Sequence, residues 1–417
     1  MDVILRNGRI ENIDSCLVDV GIEDGKIAFI GPHLDAEGTE IHVDGRLITS
    51  SFVESHLHLD KSCILDRCKS ERGDLQEAIQ EVSSAKKDFT PEDIYERAKK
   101  TLEQCILQGT GHIRTQLEVD PVIELRALEG LLPLIKEYRW AVDVEICVFP
   151  QEGLLNNPGT IDLITSALAN GATLVGAAPY TDTDPKGQID HIFQVAREYD
   201  VDIDMHLDFA HHTESFDLDY VCRLTDKYGY GGRVAIGHVT KLSFVDVPTF
   251  VEKARRLANS GVAVSVLPST DLFLMGRHQE HSIPRGVTPA HKLCQQGVNC
   301  SLATNNVLNP FTPFGDCSPI RIANLYANVC QVGSELDLVE CYEMITQRAA
   351  RLMRIEGYGV KIGNRADLVV LDCQSRVQAI SQLSPVLWGF KNGRLTFTRS
   401  PAKLHNPVNQ SSKVDTP

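Results

Sequence analysis

Between residues 51 and 360 the chain alternates short apolar runs with longer helical patterns, and it does so eight times. A strand covered by helices on its faces reads as an unbroken apolar run, and a surface helix shows apolar residues every three or four positions, so the alternation predicts repeated βα units. The candidate strands run from Ile48 to His58, His112 to Val119, Ala141 to Phe149, Ala172 to Ala178, Asp202 to Phe209, Arg233 to Val239, Val262 to Leu267 and Val298 to Asn305. Eight such units predict an α/β fold, a (β/α)8 barrel of the TIM type, over residues 51–360. An open doubly wound sheet is the alternative. No glycine-rich phosphate fingerprint follows any early strand, so a dinucleotide-dependent oxidoreductase has no motif behind it.

The two ends read differently. Residues 1–50 form short alternating strands, Val3 to Ile10, Leu17 to Ile22 and Glu23 to Ile30, with Asn7-Gly8 and Asp24-Gly25 as hairpin turn signals. The same chemistry returns in Ala366 to Asp372 and Trp388 to Phe397. Residues 1–50 and 361–398 are therefore expected to pack together as one small β-sandwich beside the barrel, a division that suits a length of 417 residues. The polar stretch 399–417 is expected to be a disordered tail.

The net charge of −15, with no dense run of Lys or Arg, argues against a nucleic-acid backbone or an anionic membrane as partner and in favour of a small-molecule substrate. The start of the chain lacks the basic residues and long apolar stretch of a signal peptide, no run approaches membrane-spanning length, and a cytoplasmic location is expected. The twelve cysteines are scattered singly with no CxxC, so they are read as reduced thiols.

Histidines mark where chemistry belongs. In a barrel, functional side chains gather at the C-terminal ends of the strands. His56 and His58 end the first candidate strand two residues apart, on one face of it, and can converge on a divalent metal. His206 lies near the end of the fifth strand and His238 ends the sixth, so four of the fourteen histidines sit where a shared site would be. His33, His42 and His405 fall outside the barrel, and His278, His281 and His291 lie in loop or helical patterns where a solvated role is the default.

The order HxH, then His, then His, entered through Ile48-Thr-Ser-Ser-Phe-Val-Glu-Ser-His-Leu-His-Leu-Asp60, resembles the amidohydrolase superfamily, and within it the branch of cytosine deaminase and the triazine aminohydrolases. Further matches are His112 to Thr115, Phe149-Pro-Gln-Glu-Gly153, Gly232 to His238, Leu267-Pro with Gly276-Arg277, and Asn309 to Gly315, so the resemblance runs nearly end to end. It implies one Zn2+ or Fe2+ held by His56, His58 and His206, with His238 hydrogen-bonding the attacking water or the tetrahedral intermediate, and Gln151 contacting the amide-like edge of a heterocycle. Neutral imidazoles suit either metal, and an open coordination position lets it acidify water. Gln151 offers both a donor and an acceptor. Homo-oligomerisation is a further expectation by analogy.

Three positions depart from that pattern. Asn305 stands where the family has an Asp that is both last metal ligand and proton acceptor, Phe209 where cytosine deaminases have a proton-shuttling Glu, and Gln116 where a His commonly follows Arg-Thr; Asn305 is expected among the catalytic residues, and Phe209 and Gln116, with Gln151, among those that contact substrate. Asp208, two residues beyond His206 and expected on the same side of the strand, is the nearest replacement for the lost proton transfer, and its other reading is a carboxylate that orients a neighbouring histidine or lies in a salt bridge. His211 and His212 follow in the loop, where a solvent-facing role is the default. The expected function is metal-dependent hydrolysis of a C–N bond in a small nitrogen heterocycle, a cyclic amide or amidine, other than ordinary cytosine deamination. Two alternatives stay open: ring closure or rearrangement of a ureido or guanidino substrate, and an inactive homologue that binds a small molecule or an active partner.

Overall fold

Five short strands open the chain: β1 (Val3–Ile10), β2 (Val18–Glu23), β3 (Lys26–Gly31), β4 (Thr39–His42) and β5 (Leu47–Ser50). Eight follow in the middle: β6 (Phe52–Leu57), β7 (Thr110–Glu118), β8 (Asp143–Phe149), β9 (Leu174–Ala177), β10 (Asp202–Leu207), β11 (Val234–His238), β12 (Val262–Val266) and β13 (Cys300–Leu302). Three close the chain: β14 (Leu368–Leu371), β15 (Val386–Lys391) and β16 (Arg394–Thr398). These come from a computed structural model that describes residues 1–11 and 16–405. Residues 399–405 carry no regular structure, and the rest of the expected tail, 406–417, lies outside the described residues.

The eight middle strands pair in sequence order, all parallel, with helices in the connections, as expected of a (β/α)8 barrel. The ring closes between first and last strand through a single bridge, Leu57 to Asn305. Two backbone bonds make that closure, His58 N to Asn305 O at 2.8 Å and Asn305 N to His56 O at 2.9 Å. Below it Glu54 accepts from the backbone N and hydroxyl of Thr304 (3.0 and 2.5 Å), and the Ser55 and Ser301 hydroxyls meet at 2.8 Å. The barrel centre also holds a buried ion pair, Arg114 to Asp204 at 2.9 Å, while the large apolar core fills the layer between strands and helices.

The ends form one eight-stranded sheet, in the order β16-β15-β14-β5-β1-β2-β3 with β4 also on β1, around a separate apolar core that includes Leu5, Val20, Ile48, Leu368 and Phe390. The apolar run expected as one strand from Ile48 to His58 serves both sheets. It divides at Ser51, whose N–H bonds Asp367 O in the flank while Phe52 N bonds Gly109 O in the barrel (2.9 Å each).

Asp24-Gly25 makes the β2–β3 hairpin with both residues at positive φ (49° and 73°), as a tight turn of this type requires. Asn7-Gly8, expected to turn, instead sits inside β1 as a bulge. The pairing with β2 slips between Leu5 and Gly8, and Asn7 N–H is taken by the Asp19 carboxylate at 3.0 Å. No disulfide occurs among the described residues, and no described helix is long and apolar enough to cross a membrane.

Candidate metal centre and substrate pocket

Strand alternation places His56 on β6 and His58 one residue beyond it on the same face, and β10 brings His206 between them. The Nε2 atoms of His56 and His58 lie 3.1 and 3.2 Å from Nε2 of His206, and all three side chains are buried. Three ring nitrogens that face one another at hydrogen-bond distance cannot all carry protons toward each other. Burial holds His58 and His206 well below the ordinary histidine value, and the positive groups around them, Lys61 for His58 and His56 for His206, push the same way. His56 is lowered by burial too, against the pull of Asp204. Neutral imidazoles with converging lone pairs are a donor set for zinc or ferrous iron.

The groups behind the rings fix which nitrogen points inward. Nδ1 of His56 has the Gln116 amide at 3.3 Å and Asp204 Oδ1 at 3.8 Å. A metal at Nε2 requires a proton on Nδ1, and the otherwise unpartnered Oδ1 of Asp204 is the acceptor on that side, while it is the amide nitrogen of Gln116 that stands beside the same atom. Burial would raise Asp204, but His56 and Arg114 outweigh it and keep this carboxylate ionised. Phe149 at the end of β8 stacks flat on the His206 ring (centroids 4.5 Å apart, 17° between planes).

The centre opens into a cavity of about 260 Å3, walled on the polar side by Lys61, Gln151, Tyr180, His238 and Asn305 and on the apolar side by residues including Leu75, Phe209, Leu274 and Phe311. Asn305, at φ 65°, puts its backbone into the closure and leaves its buried Oδ1 without a hydrogen-bond partner. An amide tolerates this left-handed conformation better than most residues do. The orphaned oxygen beside three imidazoles fits a cation or a water held by one.

His238 ends β11 and its Nδ1 lies 2.6 Å from Oδ1 of Asp271, on the helix Pro268–Leu274 that follows β12. Asp271 is fully buried, and burial raises it against the opposing pull of His238. The short contact is an N–H donated to the carboxylate, which leaves the far nitrogen of His238, Nε2, as an acceptor toward the cavity. Phe209 packs edge-on against the same ring at 4.6 Å.

Four expectations change. Asp208 does not share the face of His206: β10 ends at Leu207 and Asp208 turns to φ 49°, so its carboxylate accepts from the N–H groups of Asp217 and Leu218 (3.0 Å each) at the start of the helix Asp217–Tyr228 and pairs with Lys241 at 3.2 Å. The structure therefore removes Asp208 as a proton carrier and makes it a helix cap. Gln116 stands behind His56 and not in the cavity wall, so it orients a ligand and does not read substrate. His291 is buried and bonded to the Tyr326 hydroxyl at 2.7 Å, not solvated. Gln151 reaches the cavity but with its carbonyl already taken by Lys61 Nζ at 3.3 Å. His211 and His212 are exposed on the loop.

Sequence reasoning missed Asp271 and Lys61. Lys61 follows directly on the histidine motif and is 2% exposed, with Nζ 2.5 Å from Glu118 and 4.3 Å from the centroid of Phe311. The signal for Asp271 is weaker, a carboxylate three residues past a proline that opens a short helix at a strand end.

Comparison with known proteins follows the same lines. The model of the amidohydrolase family matches residues 140–395. The chain is 30% identical to N-isopropylammelide isopropyl amidohydrolase of Pseudomonas sp. strain ADP, over 94% of this chain and 96% of that protein. The structure of 5-methylcytosine deaminase from Klebsiella pneumoniae liganded with 5-fluorocytosine superposes with a TM-score of 0.93 at 28% identity, covering 97% of this chain and all of that one. N-isopropylammelide isopropylaminohydrolase from Burkholderia multivorans gives 0.83 at 27% identity, covering 95% and 98%.

Proposed function

This chain belongs to the amidohydrolase family, and we propose that it is a metal-dependent hydrolase of a C–N bond in a small oxo-substituted nitrogen heterocycle. The observation that carries the reading is the meeting of three buried, neutral imidazoles within 3.1–3.2 Å beside His238 and Asp271. His56, His58 and His206 would hold one zinc or ferrous ion, with the Asn305 amide oxygen available beside them. When bound, such an ion supplies a Lewis acid and lowers the pKa of water to near ~7 in favourable cases.

The chain's own residues manage the proton. His238, held by Asp271 with Nε2 free, takes a proton from the attacking water as its oxygen bonds the ring carbon. It then returns that proton to the departing amine nitrogen, which leaves with the electron pair of the broken C–N bond. The products are an oxo-ring and an amine. Asn305 cannot accept the proton, because an amide is neutral and a very poor base. The phenyl ring of Phe209 occupies the place of a ring-protonating carboxylate, which is why a substrate other than cytosine is proposed.

Two relatives support the reading, one an amidohydrolase of N-isopropylammelide and the other a deaminase of 5-methylcytosine. The test is metal analysis of protein purified without added metal, with His56→Ala as control, followed by assay of amine release from N-alkylamino oxo-triazines and oxo-pyrimidines. About one equivalent of zinc or iron, absent from the control, with amine released from one of these rings, is expected. Protein that takes up no metal even on reconstitution would overturn the proposal.

A further inference from the structure

We infer that the substrate binds as an anion, presenting a deprotonated imide or imidate edge to Lys61 and Gln151. This rests on the proposal above that the cavity receives an oxo-heterocycle, and it goes further by naming the charge and the hydrogen-bonding face of that ring.

An ammonium can only donate hydrogen bonds. Lys61 Nζ lies 3.3 Å from Oε1 of Gln151, so the amide carbonyl must face the lysine and the NH2 must face away from it. That Nε2 is buried beside the Tyr180 hydroxyl and makes no well-formed hydrogen bond among the described residues, in a side chain 3% exposed that lines the cavity. The wall therefore shows two kinds of donor side by side, the Gln151 NH2 and the remaining N–H of Lys61. The acceptor half of Gln151, which a neutral lactam edge with its own N–H would need, is already used.

Charge points the same way. No carboxylate lines the cavity. The acids nearest it have partners elsewhere: Asp271 pairs with His238 at 2.6 Å, Asp208 with Lys241 at 3.2 Å and Asp204 with Arg114 at 2.9 Å, while Asp60 accepts from the backbone N–H groups of Lys61 and Glu118 at 2.8 and 2.9 Å. Glu118 pairs with Lys61 at 2.5 Å and with Lys86 at 3.4 Å but is not in the wall, so the Lys61–Glu118 pair turns its positive end toward the cavity. Asn305 and Phe209, where the family pattern has two acids, remove the negative charge that would repel such a ligand. In a site shielded from water, an ammonium that faces the ligand while its partner carboxylate lies behind it favours an anion over its neutral neighbour.

Barbiturate and uracil make the test, since they share ring and size but barbiturate is a monoanion at neutral pH and uracil is neutral. Calorimetric titration of the metal-loaded full chain is expected to show barbiturate binding at least about tenfold more tightly, a difference of about 1.4 kcal/mol. Lys61→Met should bring the two rings to near-equal affinity, whereas Glu118→Gln, which frees the ammonium from its partner, should widen the preference. Where the single variants do not fold, the double variant Lys61→Met with Glu118→Gln removes both charges together and should likewise abolish the preference. Equal binding of both rings to the unaltered protein, or a preference that survives loss of Lys61, overturns the anion inference and leaves the heterocycle reading standing. Failure of both rings to bind overturns the two together.

Discussion

Two groups of side chains with ligating atoms within reach of one another lie at opposite ends of this barrel, three histidines at one and a histidine with two aspartates at the other, and they differ in what stands at their centres. At the C-terminal end of the strands His56, His58 and His206 converge, and their Nε2 atoms face one another with no Lys or Arg side chain bonded to them among the described residues. At the other end His112, Asp143 and Asp367 also come within ligating distance of one another. There Lys391 Nζ stands between the carboxylates, 2.7 Å from Asp143 and 2.9 Å from Asp367, and Arg365 bonds the same two at 2.9 and 3.0 Å. Two negative charges thus meet two positive ones, and the position a metal would take belongs to an ammonium. Lys391 comes from β15, Asp143 begins β8 and Asp367 precedes β14, so this second cluster pins the flanking sheet to the barrel. Similar residue types give a candidate reactive centre where charge is left open and a clamp where it is filled.

The largest effect that separates the two is on metal. His206→Ala should take occupancy from about one equivalent to about none, whereas His112→Ala should leave it at about one, as elemental analysis of both proteins would show. Loss of metal from the His112 variant would erase the distinction. Next, Asp271→Asn should lower kcat by ~10²–10⁴-fold with metal content unchanged, because His238 would lose the partner that fixes its tautomer. Steady-state rates on whichever ring is hydrolysed, together with metal analysis, test this.

At the clamp the expected effects are on stability. Lys391→Met leaves Asp367, which is 6% exposed, with Arg365 as its remaining cation and should cost ~1–3 kcal/mol in denaturant unfolding while metal content stays the same. The smallest effect is on pH dependence. Burial works against the charge on Asp367, but His112 and Lys391 outweigh it and hold its pKa well below the ordinary carboxylate value. Its contribution to stability is therefore complete above an unfolded value near ~4 and is lost as pH falls through the lower folded value. Asp367→Asn should flatten the acid limb of the stability profile, and an unchanged limb would show that other groups set it.

Much of this architecture was legible in the chain. Eight apolar runs gave the eight barrel strands, and period-two reasoning placed His56 and His58 on one face. The same reasoning misplaced Asp208, because it assumes an extended backbone and the strand stops one residue earlier. Positive φ at a strand end is not visible in alternation, and here it sends the carboxylate out to a helix while Phe209 turns in. Asn7-Gly8 misled for a related reason, since the residue pair that favours a turn also favours a bulge inside a strand. Asp271 was hidden because its partner, His238, is 33 residues away and only the fold makes them neighbours. Lys61 was in plain view beside the histidine motif, but its role depends on Gln151 and Glu118, which arrive from two other strands.

The single bridge that shuts the barrel has a consequence for how the protein is made. Its two backbone bonds join His56 and His58 to Asn305, nearly 250 residues later, and the Glu54 contacts to Thr304 that brace it span 250. During synthesis the first two imidazoles leave the ribosome long before the segment that fixes their backbone exists, and contacts so distant in sequence are slow to form. The nascent chain must therefore carry an exposed histidine pair on an unpaired strand edge until the eighth strand emerges. An ion captured in that interval would meet ligands whose spacing is not yet set, so correct loading waits for the ring to close.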